Sequence, residues 1–118
     1  PLPVLMKMER RQRQRFRVLG ASCHSVEEAK MAEKLGCTYL TAGHIFETEC
    51  KKGLPGRGLD FLNRVCSDVS VPVYAIGGIS PANISKIKET GAAGACMMSG
   101  FMTCESPGDY LRDFKRQE

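Results

Sequence analysis

No run of apolar residues in this 118-residue chain approaches the roughly 20 that a membrane-spanning helix requires, so no membrane partner is expected. No basic stretch leading into an apolar core and a small-residue cleavage site opens the chain, which makes a cytoplasmic location the expectation. The six cysteines, Cys23, Cys37, Cys50, Cys66, Cys96 and Cys104, are scattered without one Cys-x-x-Cys pair. That spacing excludes a zinc ribbon or a thioredoxin-type motif, and no metal site is expected. Without an export signal disulfides are not expected, and thiols inside apolar runs read as small hydrophobes. No nucleic-acid-binding motif accompanies the cations, so nucleic acid is not an expected partner either.

What is present is an ordinary globular composition, 42% hydrophobic and 25% charged, in a chain long enough for one core. The net charge of +4 is concentrated. Arg10, Arg11, Arg13, Arg15 and Arg17 crowd one segment and read as a solvated helix face, while Lys51, Lys52 and Arg57 share a loop that suits an anion.

Two glycine-bearing strings, Ala75-Ile76-Gly77-Gly78-Ile79 and Met98-Ser99-Gly100, carry the most information. Each follows an apolar, partly β-branched run, and a helical pattern lies between them. Loops after the last two strands of (β/α)-barrels often build a phosphate site from backbone N–H groups and a short helix N-terminus. Glycine suits such a site because a side chain would hold the phosphate away from the backbone. Gly77, Gly78, Ser99 and Gly100 are therefore the candidate phosphate ligands.

The same grammar repeats four times. A strand over about 16–22 ends in Cys23-His24, and Ser25 with Glu28 then forms a capping box for a helix carrying Val26, Ala29, Ala32 and Leu35, stopped by Gly36. A second strand over 38–42 leads into Gly43-His44-Ile45-Phe46, a long loop over 47–58, and a helix marked by Leu59, Leu62, Val65 and Cys66. The third strand, 71–76, precedes a helix opened by Ser80-Pro81, with Ile84 and Ile87 inward. The fourth strand, 93–98, precedes a helix opened by Ser106-Pro107, with Tyr110, Leu111 and Phe114 inward. Strict alternation demands a parallel sheet, whose short apolar strands are expected to be buried on both faces. Residues 1–15 read as a loop and a poorly amphipathic helix preceding the four βα units of 16–118. A closed barrel needs eight such units, so four make either an open four-stranded α/β sheet or the C-terminal half of a TIM (β/α)8 barrel. The glycine turns after the last two strands favour the half-barrel, which is the expected fold.

The string from Gly43 to Gly58, His44-Ile45-Phe46-Glu47-Thr48-Glu49-Cys50-Lys51-Lys52 followed by the glycine turns, resembles the signature of TenI-type thiazole tautomerases. These belong to the superfamily of thiamine phosphate synthase, and matching segments run from Gly20-Ala21-Ser22-Cys23-His24-Ser25 to Met98-Ser99-Gly100. The synthase pattern resembles Gly-Pro-x-Phe-x-Thr-x-Thr-Lys; here His44 stands at the proline position and Cys50 at the second threonine. The resemblance assigns proton transfer to His44, in a tautomerase that aromatises a thiazole carboxylate phosphate without a cofactor. It places Thr48 against the substrate and implies magnesium and upstream acidic ligands for a synthase, while Lys51, in a loop over the site, reads as a point charge for the substrate carboxylate or phosphate. Physical chemistry supports the histidine, since imidazole titrates near neutrality and barrel strands present catalytic groups at their C-terminal ends. His24, at another strand end, reads as a packing or supporting residue.

The leading expectation is a thiazole tautomerase in thiamine biosynthesis acting on a thiazole phosphate-type small molecule. The alternative is thiamine phosphate synthase, and a third is a non-catalytic phospho-ligand-binding regulatory protein. Four barrel strands alone leave two open edges, so a homo-oligomer, or association with the N-terminal half of a barrel, is expected.

Overall fold

The structure, a computed structural model, describes residues 1–47 and 56–116, and only the backbone of Ser99. Four strands, β1 (Gly20–Cys23), β2 (Tyr39–Ala42), β3 (Val73–Ile76) and β4 (Gly94–Cys96), form one sheet in the order β1-β2-β3-β4. All neighbours are parallel, with Cys23 opposite Ala42, Ala42 opposite Ala75, and Ile76 opposite Cys96. Two short helices, α1 (Leu2–Lys7) and α2 (Arg10–Arg13), precede the sheet. The crossovers carry α3 (Val26–Lys34), α4 (Gly58–Asp68) and α5 (Ile84–Lys88), and the chain ends in α6 (Ser99–Thr103) and α7 (Pro107–Arg116). The expected four parallel βα units are present, as a section of a TIM-type barrel wall.

Alternation along the strands explains the core. Ala21, Cys23, Leu40, Ala42, Val73 and Ala75 point to one face and are buried. Val26, Ala29 and Ala32 of α3, Leu62 and Val65 of α4, and Ile84 and Ile87 of α5 cover them in one cluster. Fully enclosed side chains such as Leu40 and Leu62 each contribute about 1.5–3 kcal/mol. Ser25 caps α3 as expected, its hydroxyl accepting from the Glu28 N–H at 3.1 Å. Among the described residues no helix is long and apolar enough to cross a membrane, and five described cysteines are free thiols.

Several expectations require correction. The strands are not buried on both faces: Tyr39, Thr41, Tyr74 and Ile76 line a face that no described helix covers, and Ile76 is 42% exposed. The first strand begins at Gly20, not Phe16, because a parallel strand exists only where its neighbour faces it. Leu19 meets Thr38 through reciprocal hydrogen bonds, whereas Phe16 and Val18 lie before that partner and are exposed. The helix after β3 starts at Ile84; Ser80 donates to the Asn83 Oδ1 at 2.8 Å and closes a turn over 81–83 instead. In α7, Phe114 is buried but Leu111 is exposed. Arg13 is no solvated residue either, for its Nε donates to the Leu35 carbonyl at the end of α3.

Candidate functional site

Parallel register brings the carboxyl ends of all four strands to one side. His24 follows β1, Gly43-His44 follows β2, Gly77-Gly78 follows β3 and Met97-Met98 follows β4. Among the described candidates, topology alone therefore brings His24, His44, Gly77 and Gly78 to the same end of the sheet.

His44 is the one buried polar or charged residue among those described, at 7% exposure. The chain beyond β2 stays alongside the end of β3. Ile45 N–H donates to the Ile76 carbonyl at 3.0 Å, and Phe46 N–H donates to the Gly77 carbonyl at 3.1 Å. On its other side the His44 carbonyl accepts from Arg57 N–H at 2.9 Å, and the Ile45 carbonyl accepts from Gly58 N–H at 3.0 Å. The histidine backbone is thus held between the β3 turn and the start of α4.

This clamp explains the paired glycines. Gly77 has φ +107°, and a Cβ there would lie 2.6 Å from the His44 Cβ and 2.8 Å from its Cα. Gly78, φ +68°, would place a Cβ 2.8 Å from both the Glu47 carbonyl oxygen and the Phe46 Cβ. Both glycines are required by the close passage of residues 44–47, whether or not an anion also uses the turn. Among the described residues the Gly78 and Ile79 N–H groups meet no acceptor, whereas the Ser80 N–H is occupied by Asn83. Asn83 Nδ2 in turn donates to the Gly78 carbonyl at 2.9 Å. Asn83 thus fixes the turn from both sides.

After β4, Ser99 and Gly100 begin α6. A Cβ on Gly100 would stand 2.1 Å from the Tyr110 hydroxyl oxygen, so the absent side chain makes room for α7. Phe101, Tyr110 and Phe114 form an aromatic cluster with centroids 4.8 to 6.2 Å apart, seating α6 on α7. The Ser99 side chain and all of Thr48, Cys50, Lys51 and Lys52 lie outside the described residues.

His24 has an exposed imidazole, so it does not pack into the core. Its backbone is engaged at both ends: the N–H donates to Glu28 Oε1 at 3.2 Å and the carbonyl accepts from Arg57 Nε at 2.8 Å. In the sequence Arg57 is simply one cation of a loop. The fold makes it a fixed positive charge bridging the ends of β1 and β2, with the glycines on either side of it as the sole local signal. Asn83 was missed altogether, though Ser80-Pro81-Ala82-Asn83 has the spacing of a side-chain-closed turn.

Buried thiols beside the site are chemically quiet. Burial pushes Cys23 up to about 11, with Glu28 and Cys37 adding to the shift. At neutral pH it is a thiol, not a nucleophile. Among the described residues no group of three His, Cys, Asp or Glu is placed to hold a metal ion.

Four parallel strands with a buried histidine, an arginine held to a strand end and glycine turns at their carboxyl ends define part of a (β/α)-barrel. Sequence comparison supplies the family. A family profile described as thiamine monophosphate synthase matches residues 5–101. The thiamine-phosphate synthase of Caldivirga maquilingensis is 44% identical over 97 residues, covering 82% of this chain and 47% of that protein. The thiamine-phosphate synthase of Clostridium acetobutylicum is 38% identical over 96 residues, covering 81% and 46%. Among solved structures, thiamine phosphate pyrophosphorylase from Pyrococcus furiosus superposes with a TM-score of 0.76 at 35% identity, covering 85% of this chain and 48% of that one. The chain belongs to the thiamine monophosphate synthase family, an enzyme family, and spans about half the length of the curated relatives it matches.

Proposed function

We propose that this chain supplies the phosphate-holding side of a thiamine-phosphate synthase site, acting on a thiazole phosphate. The observation that carries the reading is the 44% identity, over 97 residues, to a protein bearing that name. The geometry supports it. The Gly78 and Ile79 N–H groups, which meet no acceptor among the described residues, the turn into α6 and the Arg57 guanidinium all belong to the carboxyl end of the sheet, where an anionic substrate meets donors and positive charge. Among the described residues no group of three His, Cys, Asp or Glu converges on one point, and we derive no step through the magnesium that the synthase resemblance implies.

A second reading, thiazole tautomerase, rests on one specific feature: the buried imidazole of His44 at the end of β2. Imidazole there can take a proton from one ring position of a thiazole and return it at another.

The experiment uses a protein that carries this chain together with four further βα units. Conversion of thiazole phosphate and a pyrimidine pyrophosphate to thiamine phosphate, in the presence of magnesium, is the expected result. Tautomerisation of the thiazole carboxylate phosphate without that coupling would overturn it in favour of the second reading. In that case His44→Asn should depress turnover by ~10²–10⁴-fold with binding nearly intact. Ligand binding with neither activity would mark a regulatory protein.

A further inference from the structure

At the opposite end of the sheet from His44 lies a second concavity. It sits where α3 ends and the chain enters β2, whose four residues alone span roughly 13 Å. A cavity of about 420 Å³ is bounded there by Arg10, Arg13, Phe16, Lys34, Leu35 and Gly36. No carboxylate lines it.

The three cations are not equivalent. Arg13 is spent on the fold: Nε donates to the Leu35 carbonyl at 3.1 Å, and Nη1 donates to the carbonyls of Leu5, at 3.4 Å, and Met8. These acceptors close the C-terminal ends of α1 and α3, so the guanidinium offsets the partial negative charge of two helix ends. Arg10 and Lys34 form no ion pair among the described residues, although Lys30, Arg112 and Arg116 do. With the helix ends already answered by Arg13, two positive charges remain directed at one concavity. Phe16 adds an aromatic ring to the same wall and is 54% exposed, so its face is open to a ligand in the cavity.

A phosphate chain satisfies two unpaired cations, and a planar ring satisfies an exposed phenyl face. The volume falls within the ~300–1,000 Å³ of small-molecule sites. We propose that this cavity binds a small phosphorylated molecule with a planar ring, of the nucleoside di- or triphosphate class, at a site separate from the one at the strands' carboxyl ends.

Calorimetric titration tests this with ATP, inorganic triphosphate and adenosine as probes, at low and at physiological salt. ATP should bind saturably, triphosphate more weakly and adenosine weakest, with ATP affinity falling as salt rises. R10Q and K34Q should each weaken ATP by about threefold to fivefold, and R10Q/K34Q by roughly tenfold or more. Both residues are exposed, so the melting profile of each variant should match the parent protein. F16A should weaken ATP severalfold and leave triphosphate unchanged. No saturable binding at millimolar ATP would overturn the proposal. Equal ATP affinity in R10Q/K34Q would overturn it too, by assigning the ligand to the carboxyl ends of the strands. An oligonucleotide binding about 100-fold tighter than ATP at the same salt would replace it with a nucleic-acid surface.

Discussion

Replacing Gly77 with alanine, beside Gly36→Ala as a control, separates backbone strain from crowding at His44. Both glycines have positive φ, +107° at Gly77 and +97° at Gly36. A Cβ on Gly36 would meet nothing within 4 Å, so that substitution carries only the backbone cost, about 1–2 kcal/mol. A Cβ on Gly77 would lie 2.6 Å from the His44 Cβ, 2.8 Å from its Cα and 3.1 Å from the Ile45 nitrogen. These are main-chain or near-main-chain atoms that cannot rotate away. Retreat is blocked because Ile45 and Phe46 are bonded to the carbonyls of Ile76 and Gly77, and His44 and Ile45 to the N–H groups of Arg57 and Gly58. Forcing a methyl into such a space adds about 1–3 kcal/mol. Gly77→Ala should therefore cost about 2–5 kcal/mol, and exceed Gly36→Ala by about 1–3 kcal/mol. Urea unfolding followed by circular dichroism reads the difference as an extra drop in midpoint of roughly 1 M, for a slope of about 1–3 kcal/mol/M. Equal midpoints for the two variants would refute the clamp. The same crowding bears on ligand binding, since any substitution at Gly77 or Gly78 displaces residues 44–47. Loss of phosphate affinity on Gly78→Val must accordingly be paired with a change that spares this passage, such as Arg57→Gln.

Three further outcomes follow from the same contacts. Asn83→Ala removes the acceptor for Ser80 N–H and the donor to the Gly78 carbonyl, and should cost about 1–2 kcal/mol in thermal unfolding; an unchanged midpoint would show that the turn holds without it. Glu33 accepts from Ser70 N–H at 2.7 Å and Ser70 Oγ at 2.8 Å, the backbone bond leading in holding its carboxyl below the usual range. Because the folded value is the lower one, this stabilisation is present above the unfolded value of about 4.3 and disappears as pH falls through the folded value. The stability gap between the parent and Glu33→Gln should close on acidification, and a pH-independent gap would exclude the linkage. Finally, β1 and β4 end the described sheet with open edges, so sedimentation of the chain by itself should show association, and a compact, cooperatively melting monomer would overturn that expectation.

Local pattern carried the order of elements. The stripe of Val26, Ala29 and Ala32 and the Ser25 cap are relations within one or two turns, so α3 was legible without any tertiary partner. Alternation of strand and helix then gave each pair of strands a helical crossover of a dozen or more residues, the connection that parallel pairing requires. The position of His44 was legible for the same reason, since any residue just after a strand of such a sheet lies at the sheet's carboxyl end. The strand limits depended on neighbours instead. Phe16–Val18 has strand composition but no facing strand, and only the register with Thr38 decides that β1 starts later. The meaning of Gly77 also lay outside its own segment: its missing side chain accommodates His44, a residue 33 positions earlier. Likewise Arg57 reaches the carbonyl of His24, and Arg13 reaches that of Leu35, across 33 and 22 positions. Periodicity and capping are properties of neighbouring residues, which a sequence displays in order. Close approach and charge pairing between distant segments exist only once the sheet has brought those segments side by side.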